Sequence, residues 1–545
     1  MMRLLGLLLL GCCVAQAGEW QGRPVAELLD ALRASGVEVL YSSDLVPASM
    51  MIEREPHGTL LDGARETLAG AGLLLQPIGP GHHVVTRARP PATAPAAPAQ
   101  AAQLRELQQV DVYASRYALQ SRDAGRPYDL ASADIEQVPA ATNDPMRAAL
   151  GLPGLASGLS ARPYVRGSLQ DDVLVRFDGV ALADPFHLKN FQSLVSAFDP
   201  SLIEQMELYS GGFPVRYGTR SGGVINLTPK AIAAGHQYEI GASGLTVQAS
   251  TVGNDPAQGL EWLAGARTSI VDLVLDPLQR NLGDPNFSDL LTRVRWQAGE
   301  RSAWVAGVLA LDDRLQLQSD ASTKQANAKY RDAYGWLAFE HTFSQQWQAR
   351  SVFSVTRSDR RRDAQVNEPD IAIGTVQTQQ NFAGYAFSSD WRYSSAEHAS
   401  WDLGMNYQWV GGAAHYSRAL RFPAPIAALF GRGATDDLTY AADPSQASYA
   451  LYAAVHPWQG ARLQSEFGLR LDGQREVSGA HNAQWSPRIN LRYRLLPRVD
   501  VYGSWGRFTQ AQRPDEWSIE QGQTTAQPAQ IATHAILGLL YRPER

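Results

Sequence analysis

The spacing of hydrophobic and polar positions changes its period along the chain, and the changes divide it. After Pro24, the apolar side chains Val25, Leu28, Leu29 and Leu32 recur at helical spacing and share one face. Val37, Val39 and Tyr41 then alternate as a strand. A second helix is predicted over 60–69, with Thr59 as its N-cap, Gly70 or Gly72 as its stop, and Leu61, Ala64 and Leu68 facing inward. Short strands at 73–75 and 83–86 complete a small α/β unit spanning 18–89. His82 and His83 are adjacent on a strand and so point to opposite faces, which favours a solvated loop end over a metal pair.

Residues 90–104 are a Pro/Ala linker with little to bury, extended at about 3.1 Å per residue. In the following segment, 105–116, Val110 and Val112 alternate with Asp111 and Tyr113 ahead of Ala114. A strand standing between a linker and a domain has a free edge for a partner strand, or serves as the first strand of the domain that follows. Over 117–230 the pattern is mixed α+β. A short helix is expected at 144–150, capped by Asn143 or Asp144 with Pro145 at its first position, and a strand at 173–177 leads into Asp178-Gly179, a two-residue hairpin signal. The stretch 199–230 opens with a helical phrase at 200–205. A strand follows, with Met206 and Leu208 apolar against Glu207 and Tyr209, and then Gly211, Gly212, Gly218, Gly222 and Gly223 ahead of a second strand at 224–228. Glycines at this density imply positive φ or close backbone approach.

From 231 onward the pattern is strand after strand. In 462–472, Leu463, Phe467, Leu469 and Leu471 oppose Arg462, Gln464, Glu466, Arg470 and Asp472; in 488–495, Ile489, Leu491, Tyr493 and Leu495 oppose Arg488, Asn490, Arg492 and Arg494. Further strands include 238–250, 260–268, 303–311, 333–343, 347–357, 401–409, 449–456, 499–508 and 534–541, and with less regular stretches about 13–14 are read in all. A soluble sandwich would bury the apolar face and a membrane barrel would enclose the charged one, so alternation alone leaves both open. Trp304, Trp347, Trp391, Trp409 and Trp505 stand near strand ends, which fits an aromatic girdle and equally an ordinary β core.

Composition narrows the classes. With 48 basic and 54 acidic residues the net charge is -6, which speaks against a nucleic-acid partner. Only Lys189, Lys230, Lys324 and Lys329 are lysines, so arginine carries nearly all positive charge. Arg3, the apolar run 4–10 and Ala15-Gln16-Ala17 read as a signal peptide over 1–17; a lipobox ending at Cys12 is the rival reading. The only cysteines, Cys12 and Cys13, lie inside this segment. No run of 18 apolar residues follows it, which leaves strands as the means of crossing a bilayer. Nucleophile-elbow, zincin and Walker motifs are absent, so no enzyme activity, metal or cofactor is expected, and Asp171-Asp172 and Asp312-Asp313 are read as solvated loops.

The phrases L-P-G at 152–154, Y-V-R-G at 164–167, L-V-R-F-D-G-V at 174–180, D-P-F-H at 184–187 and R-Y-G to S-G-G-V-I-N over 216–226 resemble, in order and spacing, the plug of TonB-dependent outer-membrane receptors. Residues 18–89 resemble the secretin/TonB short N-terminal domain of the signal-transducing type. The resemblance implies a multi-domain fold: a small α/β periplasmic domain, an α+β plug over 117–230, and an antiparallel transmembrane β-barrel over 231–545. The family's barrel has 22 strands, so the wall here is expected to be partial. It further implies a TonB box at Val110, Asp111, Val112, Tyr113 and Ala114, and plug turns at Gly167, Asp178, Gly179, Gly211, Gly212, Gly218, Gly222 and Gly223. Arg166, Arg176 and Arg216 are expected to hold the plug to carboxylates of the wall. Implied partners are TonB with its inner-membrane energising complex, an anti-sigma regulator reached through 18–89, a small chelated-iron ligand (siderophore, citrate or haem) and outer-membrane lipid. A non-iron ligand, such as carbohydrate, cobalamin or another metal chelate, or a signalling-only sensor with an incomplete barrel, are the alternatives; a soluble secreted protein or a secretin fits the plug phrases poorly.

Overall fold

A computed structural model describes residues 20–87 and 128–541, apart from breaks at 43–44, 48, 80–81, 137–143, 157, 159, 272–282, 319–322, 396–398, 430, 432, 477–480 and 524. The signal segment, the linker and the proposed TonB box, Val110 to Ala114, lie outside the described residues. Two units are distinguished, Met1–Val110 and Asp111–Arg545.

The first unit follows the period of its sequence. It runs α1 (Val25–Ala34), β1 (Glu38–Leu40), α2 (Leu60–Gly70), β2 (Leu73–Gly79) and β3 (His82–Arg87). Central β3 pairs parallel with β1 and antiparallel with β2. Val25, Leu28, Leu29 and Leu32 of α1 meet Ala64 and Leu68 of α2 over Val39, Leu75 and Val85. Burial of each such leucine is worth about 1.5–3 kcal/mol. Thr59 caps α2 by accepting from the Asp62 amide at 3.2 Å. His82 is exposed and pairs with Glu38 at 2.9 Å, while His83 is buried.

The second unit begins with the plug: β4 (Tyr128–Ala131), α3 (Ser132–Glu136), α4 (Pro145–Ala148), β5 (Leu155–Ala156), β6 (Tyr164–Val165), β7 (Val173–Phe177), β8 (Val180–Leu182), β9 (Phe186–His187), β10 (Val195–Ser196), β11 (Ile203–Tyr209) and β12 (Gly223–Pro229). Five strands form one sheet in the order β4-β11-β12-β7-β8, with β12 and β7 parallel. Asp144 caps α4 through the Met146 amide at 2.9 Å, and its other oxygen accepts from the Ser196 amide at 2.6 Å. The expected helical phrase at 200–205 is shorter: Pro200–Leu202 is a single 3-10 turn, and Ile203 already belongs to β11 because that strand pairs on both edges. Met206, Glu207, Leu208 and Tyr209 are all buried, since plug core and wall cover both faces of β11 and override the alternation.

The wall is an antiparallel sheet of 15 strands: β13 (Gly235–Ala242), β14 (Thr246–Asp255), β15 (Leu260–Ser269), β16 (Asp284–Gln297), β17 (Ser302–Gln318), β18 (Lys324–Thr342), β19 (Trp347–Glu368), β20 (Ala372–Ser394), β21 (Ser400–Arg421), β22 (Thr435–Ala442), β23 (Ser445–His456), β24 (Leu463–Glu476), β25 (His481–Leu496), β26 (Val499–Gln510) and β27 (Gln530–Tyr541). A short helix, α5 (Ala424–Leu429), lies between β21 and β22. Fourteen strands pair in sequence order, and β22 extends β23 along the outer half of β21. Among the described residues no ladder joins β13 to β27. The single strand expected at 238–250 is a hairpin of β13 and β14, turned through Ser243.

Burial settles which face is inside. Phe467, Leu469, Leu491, Tyr493 and Leu495 are exposed, whereas Glu466, Arg470, Arg488 and Asn490 are buried against the plug. This inversion is that of a barrel wall rather than a sandwich. Turns at one end are short, such as 256–259 and 298–301, while connections at the other reach 511–529. At the short-turn end Trp304 lies 4.6 Å from Phe339, Phe343 lies 5.3 Å from Trp391, and Trp347 lies 5.1 Å from Tyr393, forming an outward aromatic belt.

Candidate functional site: the seat of the plug in the wall

The Asp178-Gly179 hairpin between β7 and β8 has φ of 49° and 83°, the double left-handed turn that joins twisted strands most tightly. The turn carries a carboxylate into the wall. Asp178 accepts from Arg293 of β16 at 2.9 Å, Arg350 of β19 at 3.1 Å and the Trp336 indole of β18 at 3.1 Å. Its backbone carbonyl also accepts from Arg350, at 2.8 Å. Burial works against the charged carboxylate, but Arg293 and Arg350 more than offset it and hold the group below the usual carboxylate range. A Cβ on Gly179 would stand 2.1 Å from an Arg350 nitrogen. Gly179→Ala is therefore expected to cost about 1–3 kcal/mol of plug stability from left-handed backbone strain, plus displacement of Arg350. Thermal unfolding of the purified receptor measures it.

A second seat uses the segment after β8. His187 is fully buried, its two ring nitrogens each 3.0 Å from a wall carboxylate, Asp313 of β17 and Asp289 of β16. Asp289 is also paired with Arg267 of β15 at 2.8 Å, and Phe287 stacks on the imidazole at 4.4 Å. The amide of Leu188 donates to Asp313 at 2.8 Å. Nearby, Lys189 pairs with Asp332 of β18 at 2.5 Å and with Asp184 of its own segment at 3.0 Å; Asp184 is also 3.6 Å from Arg360 of β19.

The third seat is the glycine-rich stretch before β12. Arg488 of β25 donates to the carbonyls of Pro214 at 2.7 Å, Tyr217 at 2.6 Å and Phe213 at 3.2 Å, and stacks on Phe508 at 4.3 Å. The Val215 amide donates to Glu466 of β24 at 2.8 Å. A Cβ on Gly218 would meet the Arg470 guanidinium at 2.5 Å, so the glycine opens the approach of that side chain. Arg220 pairs with Glu516 of the 511–529 connection at 2.8 Å, and Ser221 donates to Gln510 at 3.0 Å.

The residues singled out from sequence stand as follows. Gly167, Gly211 and Gly212 have positive φ; Gly222 and Gly223 sit where a Cβ would strike Ser168 and the Tyr209 carbonyl. Arg166 donates to Ser210, and Arg176 to the Gly179 carbonyl, both within the plug. Arg216 lies 4.8 Å over the Tyr217 ring. Among the described residues, neither Arg166 nor Arg176 pairs with a wall carboxylate, contrary to expectation; much of the polarity runs the other way, with wall arginines reaching plug acids and carbonyls. Asp312-Asp313 is no loop. Both lie on β17, which turns Asp313 inward to His187 and leaves Asp312 to Arg314 and Arg331. His187 and its two aspartates were missed, although a histidine in D-P-F-H and an aspartate pair inside an alternating run were the available signals.

Family models match two parts of the chain: the TonB-dependent receptor plug domain over residues 123–225, and the TonB-dependent receptor-like β-barrel over 272–533. No curated protein sequence matches significantly. Among solved structures, the ferripyoverdine receptor of the Pseudomonas aeruginosa outer membrane is similar over 96% of this chain and 73% of its own, at 12% identity and TM-score 0.57. The unliganded ferric citrate transporter FecA is similar over 77% and 68%, at 14% identity and TM-score 0.54. The ferric yersiniabactin uptake receptor FyuA from Yersinia pestis is similar over 77% and 70%, at 12% identity and TM-score 0.55. At these identities the likeness is one of fold. With plug and wall each matched, and the charged face of the strands turned onto the plug, the chain belongs to the TonB-dependent receptors of the outer membrane.

Proposed function

We propose that the protein takes up a chelated-iron ligand across the outer membrane in a TonB-dependent step, and that residues 18–89 pass the ligand-bound state to an anti-sigma regulator in the periplasm. The observation that carries uptake is the nature of the seat. Beside apolar contacts such as Phe177 on Trp336, the plug is held by separate ion pairs and hydrogen bonds at Asp178, His187 and Arg488, which a pull can break and which can re-form. TonB would pair with the strand at Val110 to Ala114 by strand addition. Iron chelates are favoured over other cargo because solved neighbours are named for ferric citrate, ferric yersiniabactin and ferripyoverdine.

A deletion strain complemented with the gene is grown under iron limitation on defined ferric chelates. Restored growth on at least one chelate, lost on replacing Val110 and Val112 by proline, is the expected result. Growth independent of the gene on every chelate, with gene-dependent uptake of a carbohydrate or cobalamin instead, overturns the iron reading. A sigma-factor reporter in cells lacking residues 18–89 tests signalling: the reporter should fall silent while uptake continues.

A further inference from the structure

Two features lie one above the other on the outward face of β17, β18 and β19, and the plug seat uses neither. The lower one is a groove of about 450 Å³. Gly335 of β18 stands there between Val308 of β17 and Val355 of β19 with no side chain of its own. Val294, Leu337 and Phe353 complete the lining, and all five of these apolar side chains are exposed. The upper feature is a row of like charges. Arg314, Lys329 and Arg361 are direct cross-strand neighbours, an arrangement that costs stability when nothing anionic lies over it. The row continues into Asn286 of β16 and Gln379 of β20, so no acid interrupts it. Arg314 and Arg361 each bond an aspartate two places along their own strand, Asp312 and Asp363, both at 2.7 Å. Both arginines nevertheless stay more than half exposed, and surface pairs of this kind contribute little. Lys329 between them makes no ion pair among the described residues.

Depth in the bilayer ties the two features together. Trp304, in the aromatic belt at the short-turn end, precedes Arg314 by ten residues on β17. At about 3.3 Å per residue and a strand tilt of about 40°, this separates them by about 25 Å along the barrel axis, the height of the apolar band of such a wall. The charged row therefore stands at the opposite polar boundary, on the side of the long connections, which in such barrels is the extracellular one. Gly335 is six residues from Lys329 on β18, about 15 Å below the row by the same conversion, which is the depth of one leaflet.

We propose that this face binds a phosphorylated lipid of the outer leaflet, with one acyl chain in the groove at Gly335 and a phosphate group over Arg314, Lys329 and Arg361. Guanidinium groups meet phosphate oxygens with a fork of donors, and the lysine between them adds a point charge. The occupant is a lipid rather than a soluble anion because the unbroken cationic row stands one leaflet above an apolar groove on the bilayer side of the wall. The site belongs to the wall alone and holds whichever ligand the receptor carries.

The test titrates the full-length receptor in neutral detergent with diphosphoryl lipid A, and native mass spectrometry counts the molecules retained. One tightly held lipid is expected, with affinity at least tenfold weaker for the dephosphorylated form. Lys329→Gln combined with Arg361→Gln should weaken binding of the diphosphoryl lipid by about tenfold, the size of one lost charge-assisted hydrogen bond. Gly335→Leu, which fills the groove, should weaken it by a similar factor; a Cβ there meets only a Val355 methyl, at 3.3 Å on the lipid side. Without lipid, the charge variant should unfold at no lower temperature than the parent, since it relieves a like-charge row. A variant destabilised by that change would show a row already neutralised within the protein, and overturns the site. Equal retention of the dephosphorylated lipid, an affinity unchanged in the charge variant or in Gly335→Leu, no retention at all, or equally tight binding of glucose 1,6-bisphosphate, which has the phosphates and no chains, overturns it as well.

Discussion

Asp178→Asn is expected to loosen the plug by about 3 kcal/mol, because it removes one charge from a buried cluster in which Arg293 and Arg350 both meet Asp178, with Arg350 keeping Glu340 at 3.1 Å. The substitution is chosen for what it keeps. Asparagine tolerates the left-handed φ of 49° and has the shape of aspartate, so neither strain nor a cavity confuses the result. What changes is the carboxylate that Arg293 and Arg350, both largely buried, share. An amide presents one oxygen and an NH2 group, so one desolvated cation faces a donor. A loss of this size multiplies the released fraction of the hairpin by roughly a hundred. Hydrogen exchange should show it: protection of the β7 and β8 amides should fall by about two orders of magnitude, with β24 and β25 unaffected. Unaltered protection in β7 and β8 would show that the cluster is not the seat. The sign with pH follows from the lowered carboxyl pKa of Asp178: its contribution is present above the ordinary carboxylate range and is lost as pH falls through the lowered value.

The hairpin that carries Asp178 was legible in the sequence, and its partners were not. Asp-Gly between apolar runs demands one turn type, and the alternation at 463–472 states which side of a strand meets lipid and which meets the lumen. Neither states height along the barrel axis. That height decides that Arg293 and Arg350, 115 and 172 residues away from Asp178, arrive at one carboxylate. The expectation for Arg166 and Arg176 failed at this point, because the register that assigns partners is a property of the assembled sheet. Asp312-Asp313 failed for a simpler reason. Adjacent acids suggest a loop, yet on a strand they part to opposite faces, one to solvent and one to His187. Strand ends were blurred where lipid no longer enforces the pattern. β19, β20 and β21 run to 22, 23 and 22 residues, about twice what crossing a bilayer needs, and the outer half of β19, from Ser358 to Glu368, is largely polar on both faces.

The seat at His187 should respond to pH in the opposite sense to that at Asp178. Both ring nitrogens face carboxylate oxygens at 3.0 Å, and only the imidazolium can donate from both. Burial opposes the charge, but Asp313 and Asp289 outweigh it, so the pKa is raised. Asp289 is shared with Arg267, whereas Asp313 is otherwise met by the Leu188 amide, so loss of the His187 proton leaves Asp313 the poorer of the two. A raised pKa means that the contribution is fully present below about 6.5, the ordinary value for histidine, and disappears as pH climbs through the raised one. Hydrogen exchange of residues 186–191, followed from pH 5 to 9 and corrected for the intrinsic rate, should show protection constant at the acid end and declining at the alkaline end. His187→Gln keeps one donor and no titration. It should lower protection by about tenfold at pH 6, the equivalent of one lost charge-assisted hydrogen bond of about 1.5 kcal/mol, and abolish the alkaline decline. A decline that persists in the glutamine variant would move the titrating group away from His187 and leave the two aspartates held by Arg267 and the backbone alone.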